Sequence, residues 1–123
     1  MGVLTVTRTV CYHFFTNFNH REEGTVPRYI LLTKLSPAGL SDPNTRETMG
    51  RDWLATVKEK CPEVKWIDHY ALIGAYDFMD IYDAPNEETA MKVSMITMSK
   101  GAVSAESMPA IPYKRYLEII KEM

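Results

Sequence analysis

The sequence predicts a single α+β domain with the element order βαββαβ and a further helix at its C-terminus. Three observations favour this order. Four short apolar runs have the length and composition of strands, two longer segments carry apolar residues at helical spacing, and a Gly-Ala pair separates the second run from the third. Such a pair suits the two-residue turn of an antiparallel hairpin.

The first strand and the first helix have clear boundaries. RYILLTKL, residues 28–35, is rich in large aliphatic side chains and indicates a buried strand. A helix is expected from about residue 44 to residue 60, since Asp42 and Pro43 form a start signal and Pro62 ends it. Its apolar stripe consists of Met49, Trp53, Leu54 and Val57. Gly50 lies inside the helix, at a cost of about 1 kcal/mol relative to Ala.

The second half repeats the alternation of strand and helix. Residues 63–73 and 76–84 form the hairpin, and a helix follows from Pro85-Asn86 to Lys100-Gly101. Its stripe of Met91, Met95 and Met98 is expected to pack in the core, although methionines also suit a soft metal or an adaptable groove. AVSAESM, residues 102–108, is the fourth strand, which PAIP breaks. Residues 113–122 form a terminal helix, with Tyr116, Leu117 and Ile120 facing inward.

This order is that of the ferredoxin-like fold, a four-stranded antiparallel sheet with both helices on one face. The other sheet face is left bare. A bare face that carries aromatic side chains must be covered, and we expect another copy of the chain to cover it, giving a homodimer or a higher homo-oligomer.

Composition and charge narrow the possible functions. The 123 residues are 46% apolar and 24% charged, as in an ordinary globular domain. A formal charge of −2 gives no reason to expect nucleic acid or an anionic membrane as a partner. No apolar run approaches the roughly 18 residues of a membrane-spanning helix, and the N-terminus lacks the apolar core of a signal peptide. A cytoplasmic location is therefore expected.

Residues 1–26 fit none of the predicted elements. We expect them to be a poorly ordered extension, with residues 27–123 forming the domain. VLTVTRTV alternates and would alternatively add a strand to the sheet. Cys11, His13 and His20 lie close together, but their spacing matches no metal motif, so no metal site is predicted. The cofactor stays unknown, because the sequence contains no P-loop, dinucleotide fingerprint or nucleophile elbow.

Three segments resemble the GYD domain family. GAYDFMDIYDAPNEETA, residues 74–90, is similar to the family's Gly-Tyr-Asp signature, with Gly74, Tyr76 and Asp77 at the hairpin; Ala75 departs from the polar residue often found there. YILLTKLSPAGL resembles the opening strand and loop, and ESMPAIP resembles the closing strand. The resemblance implies a fold of the dimeric α/β-barrel kind. It implies little about activity, because related folds include monooxygenases, isomerases, haem-handling enzymes and ligand sensors.

The hairpin register places one face of the middle strands. If Gly74-Ala75 is the turn, His69 lies opposite Asp80, and Ile67 lies opposite Tyr82. The face that these residues share is expected to be the bare one: Ile67, His69, Ala71, Ile73, Tyr76, Phe78, Asp80 and Tyr82. The opposite set is expected to meet the helices: Trp66, Asp68, Tyr70, Leu72, Asp77, Met79 and Ile81.

Two of these residues are candidate catalytic groups. His69 has the properties of a general base, with Asp80 as its orienting carboxylate. The candidate ligand-binding residues are Tyr76, Phe78, Tyr82 and Glu106. Alternatively, the His69–Asp80 pair only stabilises the hairpin, by about 0.2–1 kcal/mol. An aspartate beside a turn, such as Asp77, is similarly expected to bind nearby backbone groups.

Three functions stay open. The first is a small homo-oligomeric protein whose paired sheets enclose a pocket for a small organic molecule. The second is a cofactor-independent isomerase or monooxygenase-like enzyme that uses His69 and Asp80. The third is an accessory subunit that binds another protein through its sheet face. A cavity of several hundred Å3 with convergent polar groups favours the first two.

Overall fold

The computed structural model describes residues 26–40 and 42–123. The strands are β1 (Arg28–Leu35), β2 (Lys65–Ala71), β3 (Phe78–Asp83) and β4 (Ala102–Ala110), and the helices are α1 (Pro43–Lys60), α2 (Glu87–Ser99) and α3 (Tyr113–Glu122), with one helical turn at Pro37–Leu40. All strand pairs are antiparallel, and the sheet order is β2-β3-β1-β4. The predicted ferredoxin-like α+β fold is thereby confirmed. Residues 1–25, including Cys11, His13 and His20, lie outside the described residues.

The helix boundaries follow the predicted signals. The Asp42 side chain accepts a hydrogen bond from the Asn44 backbone N–H at the start of α1, and Asn86 accepts one from the Thr89 N–H at the start of α2. Gly101 follows α2 with a φ of +112°, a conformation that favours glycine. The sequence places these ends well because capping depends on local side-chain chemistry.

The fourth strand is longer than predicted. It continues through Pro109 to Ala110, whereas the sequence predicted a break at the proline. Because β4 is an edge strand of the described sheet, Pro109 does not need a backbone N–H on the outer side. The prediction of a break at this position is wrong.

Helices α1 and α2 pack on the same sheet face, around a core formed by Tyr29, Leu31, Cys61, Tyr82, Ala84, Ala90 and Val93. The side chains that α2 buries are Thr89, Ala90, Val93 and Thr97. The three methionines of this helix are 45–65% exposed, so the prediction that they pack in the core is wrong. Two threonines replace them in the core because each hydroxyl has a local partner; that of Thr97, for example, donates to the Val93 carbonyl at 2.7 Å.

Residues 111–123, which include α3, belong to a compact unit other than that of residues 26–110. Tyr116, Leu117 and Ile120, predicted to face inward, are exposed, and that prediction is wrong for the single chain. Arg115 forms ion pairs with Glu118 and Glu122 along the helix. No helix in the described part of the chain has the length and apolar character needed to cross a membrane.

Candidate functional site

The hairpin of β2 and β3 places the candidate catalytic pair. His69 lies opposite Asp80, and Ala71 lies opposite Phe78, as the register predicted. The Leu72 N–H donates to the Asp77 carbonyl at 2.8 Å, which continues the pairing toward the turn at Gly74, where φ is +148°. The residue opposite a given position is therefore set by the turn.

A β-bulge between Trp66 and Asp68 corrects the lower part of the predicted register. Trp66, and not Ile67, lies opposite Tyr82. The extra residue turns the Trp66 ring toward the helices, 5.1 Å from the Tyr82 ring and 5.2 Å from the Trp53 ring of α1. The bulge therefore places the Trp66 indole on the same face as Tyr82, although regular strand alternation predicted the opposite face.

The predicted choice of face is wrong. Phe78, Asp80 and Tyr82 lie on the side of the sheet that α1 and α2 cover, and His69 lies beside them. Tyr82 is fully buried and Asp80 is 3% exposed. The large rings bury more apolar area against the helices than the opposite set would, because that set includes Asp68, Tyr70 and Asp77. The candidate pair therefore faces the helices and not the bare side.

Tyr76 and Glu106 come together away from this pair. The Tyr76 hydroxyl donates to Glu106 Oε2 at 2.9 Å. Ser107, the next residue of β4, bonds Ser94 of α2, so strand alternation puts Glu106 on the opposite, bare face. The prediction that Tyr76 and Phe78 share a face is wrong, because the chain leaves regular strand pairing near the turn. The roles of Tyr76 and Glu106 in ligand binding stay predictions.

Asp77 has a structural position. Its carboxylate accepts a hydrogen bond from the Leu35 N–H at 2.7 Å, and its own N–H donates to the Thr33 carbonyl at 2.8 Å. These bonds join the hairpin to the end of β1. The partners are backbone groups, as the turn interpretation expected, but they lie about forty residues away in sequence.

A pocket of about 640 Å3 lies between α1 and the sheet. The sheet contributes Thr33, Leu35, Trp66, His69, Phe78 and Asp80. Helix α1 contributes Gly50, Trp53, Leu54 and Lys58, among others. A pocket of this size suits a small organic molecule, and its walls are mainly apolar and aromatic. Both candidate catalytic residues line it.

The His69–Asp80 pair has the geometry of a base and its orienting acid. His69 Nδ1 lies 2.5 Å from Asp80 Oδ1; the Asp80 side chain is 4% exposed and that of His69 is 59% exposed. Burial raises the pKa of Asp80, and the nearby His69 partly opposes this effect. When Asp80 is ionised it accepts the Nδ1 proton, which leaves Nε2 as the basic nitrogen. The pair can therefore remove a proton from a molecule in the pocket.

Two aromatic rings stack with the imidazole of His69. The His69 ring stacks on Phe78, with centroids 5.6 Å apart, and on Trp53, with centroids 6.4 Å apart. The Trp53 indole N–H donates to Thr97 Oγ1 at 2.9 Å, so α2 orients Trp53. Sequence reasoning assigned no site role to Trp53 or Thr97. Gly50 was a usable signal, because a glycine in a helix interior costs stability and can have a packing or functional reason.

Tyr82 is placed apart from the pocket. Its hydroxyl donates to Ser107 Oγ at 2.7 Å, and burial raises its pKa to about 12. Of the four predicted ligand-binding residues, Phe78 is the one that lines the pocket. No group of three or more histidine, cysteine, aspartate or glutamate side chains in the described ranges is arranged to hold a metal ion.

The comparisons with known proteins give one match. The family model described as GYD domain matches residues 29–120, a range that includes β2, β3, β4, all of β1 except Arg28, and most of α3. Neither the curated proteins nor the solved structures include a match to this chain.

Proposed function

We propose that this chain, which belongs to the GYD domain family, binds a small organic molecule in the pocket under α1 and exchanges a proton with it through His69. The observation that carries the proposal is the short contact between His69 Nδ1 and the buried Asp80 carboxylate, 2.5 Å, in the wall of an apolar pocket of about 640 Å3. A cross-strand pair that served only the hairpin would not need a pocket around it.

The reaction class follows from the groups present. His69 Nε2 accepts a proton from an acidic carbon or hydroxyl of the ligand, and Asp80 stabilises the imidazolium that forms. The same nitrogen then returns the proton to another position of the ligand, which is an isomerisation. The burial of Asp80, rather than of His69, lowers the local dielectric and strengthens the electrostatic interaction between the imidazolium and Asp80.

A chromogenic proton-transfer probe tests the base directly. A nitrobenzisoxazole loses its ring C–H proton to a base, its N–O bond breaks, and a coloured cyanonitrophenolate forms. We expect wild-type protein to accelerate this elimination and His69→Ala to lose about 10²–10⁴-fold of the acceleration. His20→Ala changes the same residue type outside the described residues and serves as the matched control. Equal rates for wild type and His69→Ala would overturn the proposal. Mass spectrometry of natively purified protein for a retained molecule would identify the ligand.

A second proposal concerns the bare sheet face. Its exposed Tyr70 and Met108, beside the partly buried Met79 and Ile81, support contact with a second copy of the chain. Light scattering at micromolar concentration should give a dimer or larger oligomer, and Met108→Lys should reduce its mass. Met91→Lys, a matched change on the exposed side of α2, should not. A monomeric wild type would exclude this interface. The cytoplasmic location stays a prediction.

A further inference from the structure

The charged groups of the pocket set it apart from the rest of the chain. The chain as a whole carries a formal charge of −2, but four basic side chains line the pocket beside three acidic ones. Two of these acids have partners: Asp80 contacts His69, and Asp68, whose side chain lies toward the bare side of the sheet, accepts a hydrogen bond from the Tyr70 hydroxyl at 2.6 Å. The third acid, Glu47, pairs with Arg51. The pocket is therefore a suitable environment for a negative charge.

Lys58 is the basic group available to that charge. Among the other three basic side chains of the lining, Arg51 pairs with Glu47, Lys100 pairs with Asp52 at 3.0 Å, and Arg46 also has a partner. Within residues 26–40 and 42–123, Lys58 has no ion pair or hydrogen bond through its side chain. Its ammonium group is free to pair with a ligand.

Thr33 supplies a second polar contact, on the sheet side of the pocket. The residue is 5% exposed and lines the pocket. Its carbonyl accepts the Asp77 N–H, but its hydroxyl has no hydrogen-bond partner among the described residues. Because Thr33 lines the pocket and its hydroxyl makes no hydrogen bond within the described protein, the hydroxyl is available to a ligand oxygen or a bound water.

We propose that the ligand of this pocket is an ionised aromatic or conjugated carboxylic acid. Its ring system lies against the wall formed by Trp53, His69 and Phe78, where flat π-surfaces stack well. Lys58 pairs with the carboxylate, and the Thr33 hydroxyl bonds a further ligand oxygen. The lining runs along α1 from Arg46 to Lys58, about 18 Å at 1.5 Å per residue, which accommodates two fused rings. This inference rests on the proposed function, since it names the ligand class of the same pocket.

Three probes of one shape and different charge test the ligand class: naphthoate, naphthalenemethanol and naphthalenemethylamine. The chain contains two tryptophans, Trp53 and Trp66, and both line the pocket. Their indole N–H signals in NMR spectra therefore report occupancy without any enzymatic assay. We expect naphthoate to bind most tightly, the alcohol about two- to fivefold more weakly, and the amine more weakly still.

Variants assign the two contacts. Lys58→Gln should weaken naphthoate about two- to fivefold and leave the alcohol unchanged, whereas Lys60→Gln, the same change on the same helix outside the pocket, should affect neither. Thr33→Val should weaken binding of a hydroxynaphthoate about three- to tenfold, and Thr33→Ser should restore it.

The outcomes separate this inference from the proposed function. Three results would overturn the ligand class: equal affinities for the three probes, tightest binding of the amine, or equal effects of Lys58→Gln and Lys60→Gln. None of them would contradict the proposed pocket or the role of His69 as its base. Failure of all three probes to shift either indole signal would overturn the ligand class and the pocket as an aromatic site. If wild type and His69→Ala give equal elimination rates while naphthoate still binds as expected, the proton transfer is overturned and the carboxylate site is not.

Discussion

The two faces of the sheet carry similar residue types but differ in how far these residues are exposed to solvent. On the face under α1 and α2, Asp80 is removed from water and contacts His69. On the bare face, hydrogen bonds join carboxylates to tyrosine hydroxyls at the surface: Tyr70 with Asp68 and Tyr76 with Glu106. Both faces therefore carry aromatic rings and carboxylates in proximity. Solvent access is what distinguishes them.

The difference in solvent access determines which ionisable side chain on each face has a shifted pKa. Burial raises the pKa of Asp80, so its charged form depends on the partner that His69 provides. On the bare face the shift falls on the tyrosines: hydrogen bonds to Asp68 and Glu106 raise the pKa values of Tyr70 and Tyr76. Residue composition alone does not identify a reactive face. The helices do so, because they remove water from one set of side chains and enclose a pocket beside it.

The largest expected effect separates two neighbouring leucines of β1. Leu31 is fully buried against the helices, and Leu32 is partly buried on the bare face. Leu31→Ala should lower the free energy of unfolding by about 2–5 kcal/mol, because it leaves a cavity in a packed core. Leu32→Ala should lower the free energy of unfolding by clearly less at low protein concentration, where no second copy covers the bare face. Urea unfolding of both variants measures the difference, and equal losses would contradict the assignment of faces.

The next effect is the pH dependence that Asp80 confers. The folded protein raises this pKa above its ordinary value of 3.8, so the folded state holds a proton that the unfolded state releases. Stability is therefore favoured below the unfolded pKa and is lost as pH rises through the folded pKa, by up to about 1.4 kcal/mol per pH unit. Asp80→Asn should remove this loss. The free energy of unfolding of wild type and Asp80→Asn is measured as pH rises above 3.8. If the two proteins show the same pH dependence, the pKa of Asp80 is not raised in the folded state.

A smaller effect compares one buried and one exposed tyrosine hydroxyl. Tyr82→Phe removes the bond to Ser107 inside the core and should lower the free energy of unfolding by about 1 kcal/mol. Tyr76→Phe removes the exposed bond to Glu106 and should leave the Tm unchanged at low protein concentration, where the bare face is not covered by a second copy. Thermal unfolding of the two variants provides the measurement. A larger loss for Tyr76→Phe than for Tyr82→Phe at low protein concentration would contradict the assignment of Tyr76 to the exposed face.

The smallest effect concerns the helix above the pocket. A Cβ added at Gly50 meets no atom within 4 Å, so Gly50→Ala should raise the free energy of unfolding by at most about 1 kcal/mol. Gly50→Trp should fill the pocket and weaken naphthoate binding. A stability loss in Gly50→Ala would show that the space beside this residue is occupied in the folded protein.

Features that depend on neighbouring residues in sequence were predictable. The start of α1 at Asp42-Pro43, the start of α2 at Asn86 and the pairing of His69 with Asp80 are all confirmed. Caps and turns depend on a few adjacent side chains, and a turn fixes which residues oppose each other across a hairpin.

Features that depend on packing between distant parts of the chain were not predictable from the sequence. Both faces of the hairpin carried large apolar residues with carboxylates among them, so alternation alone did not identify the covered face. On α2 the methionine stripe was the more apolar one, yet the helix buries Ala90, Val93 and two threonines. Small side chains allow a helix to approach a sheet closely, and the hydroxyl of Thr97 is satisfied within the site.

The sequence by itself determined the elements of this protein, their order, the hairpin register and the juxtaposition of His69 with Asp80, because these follow from local chemistry and strand geometry. Only the packed structure shows which face the helices cover, how the bulge turns Trp66 inward, and where a pocket remains beside Gly50. The physical reason is that burial is a property of two surfaces in contact, and each surface is specified by a distant part of the chain.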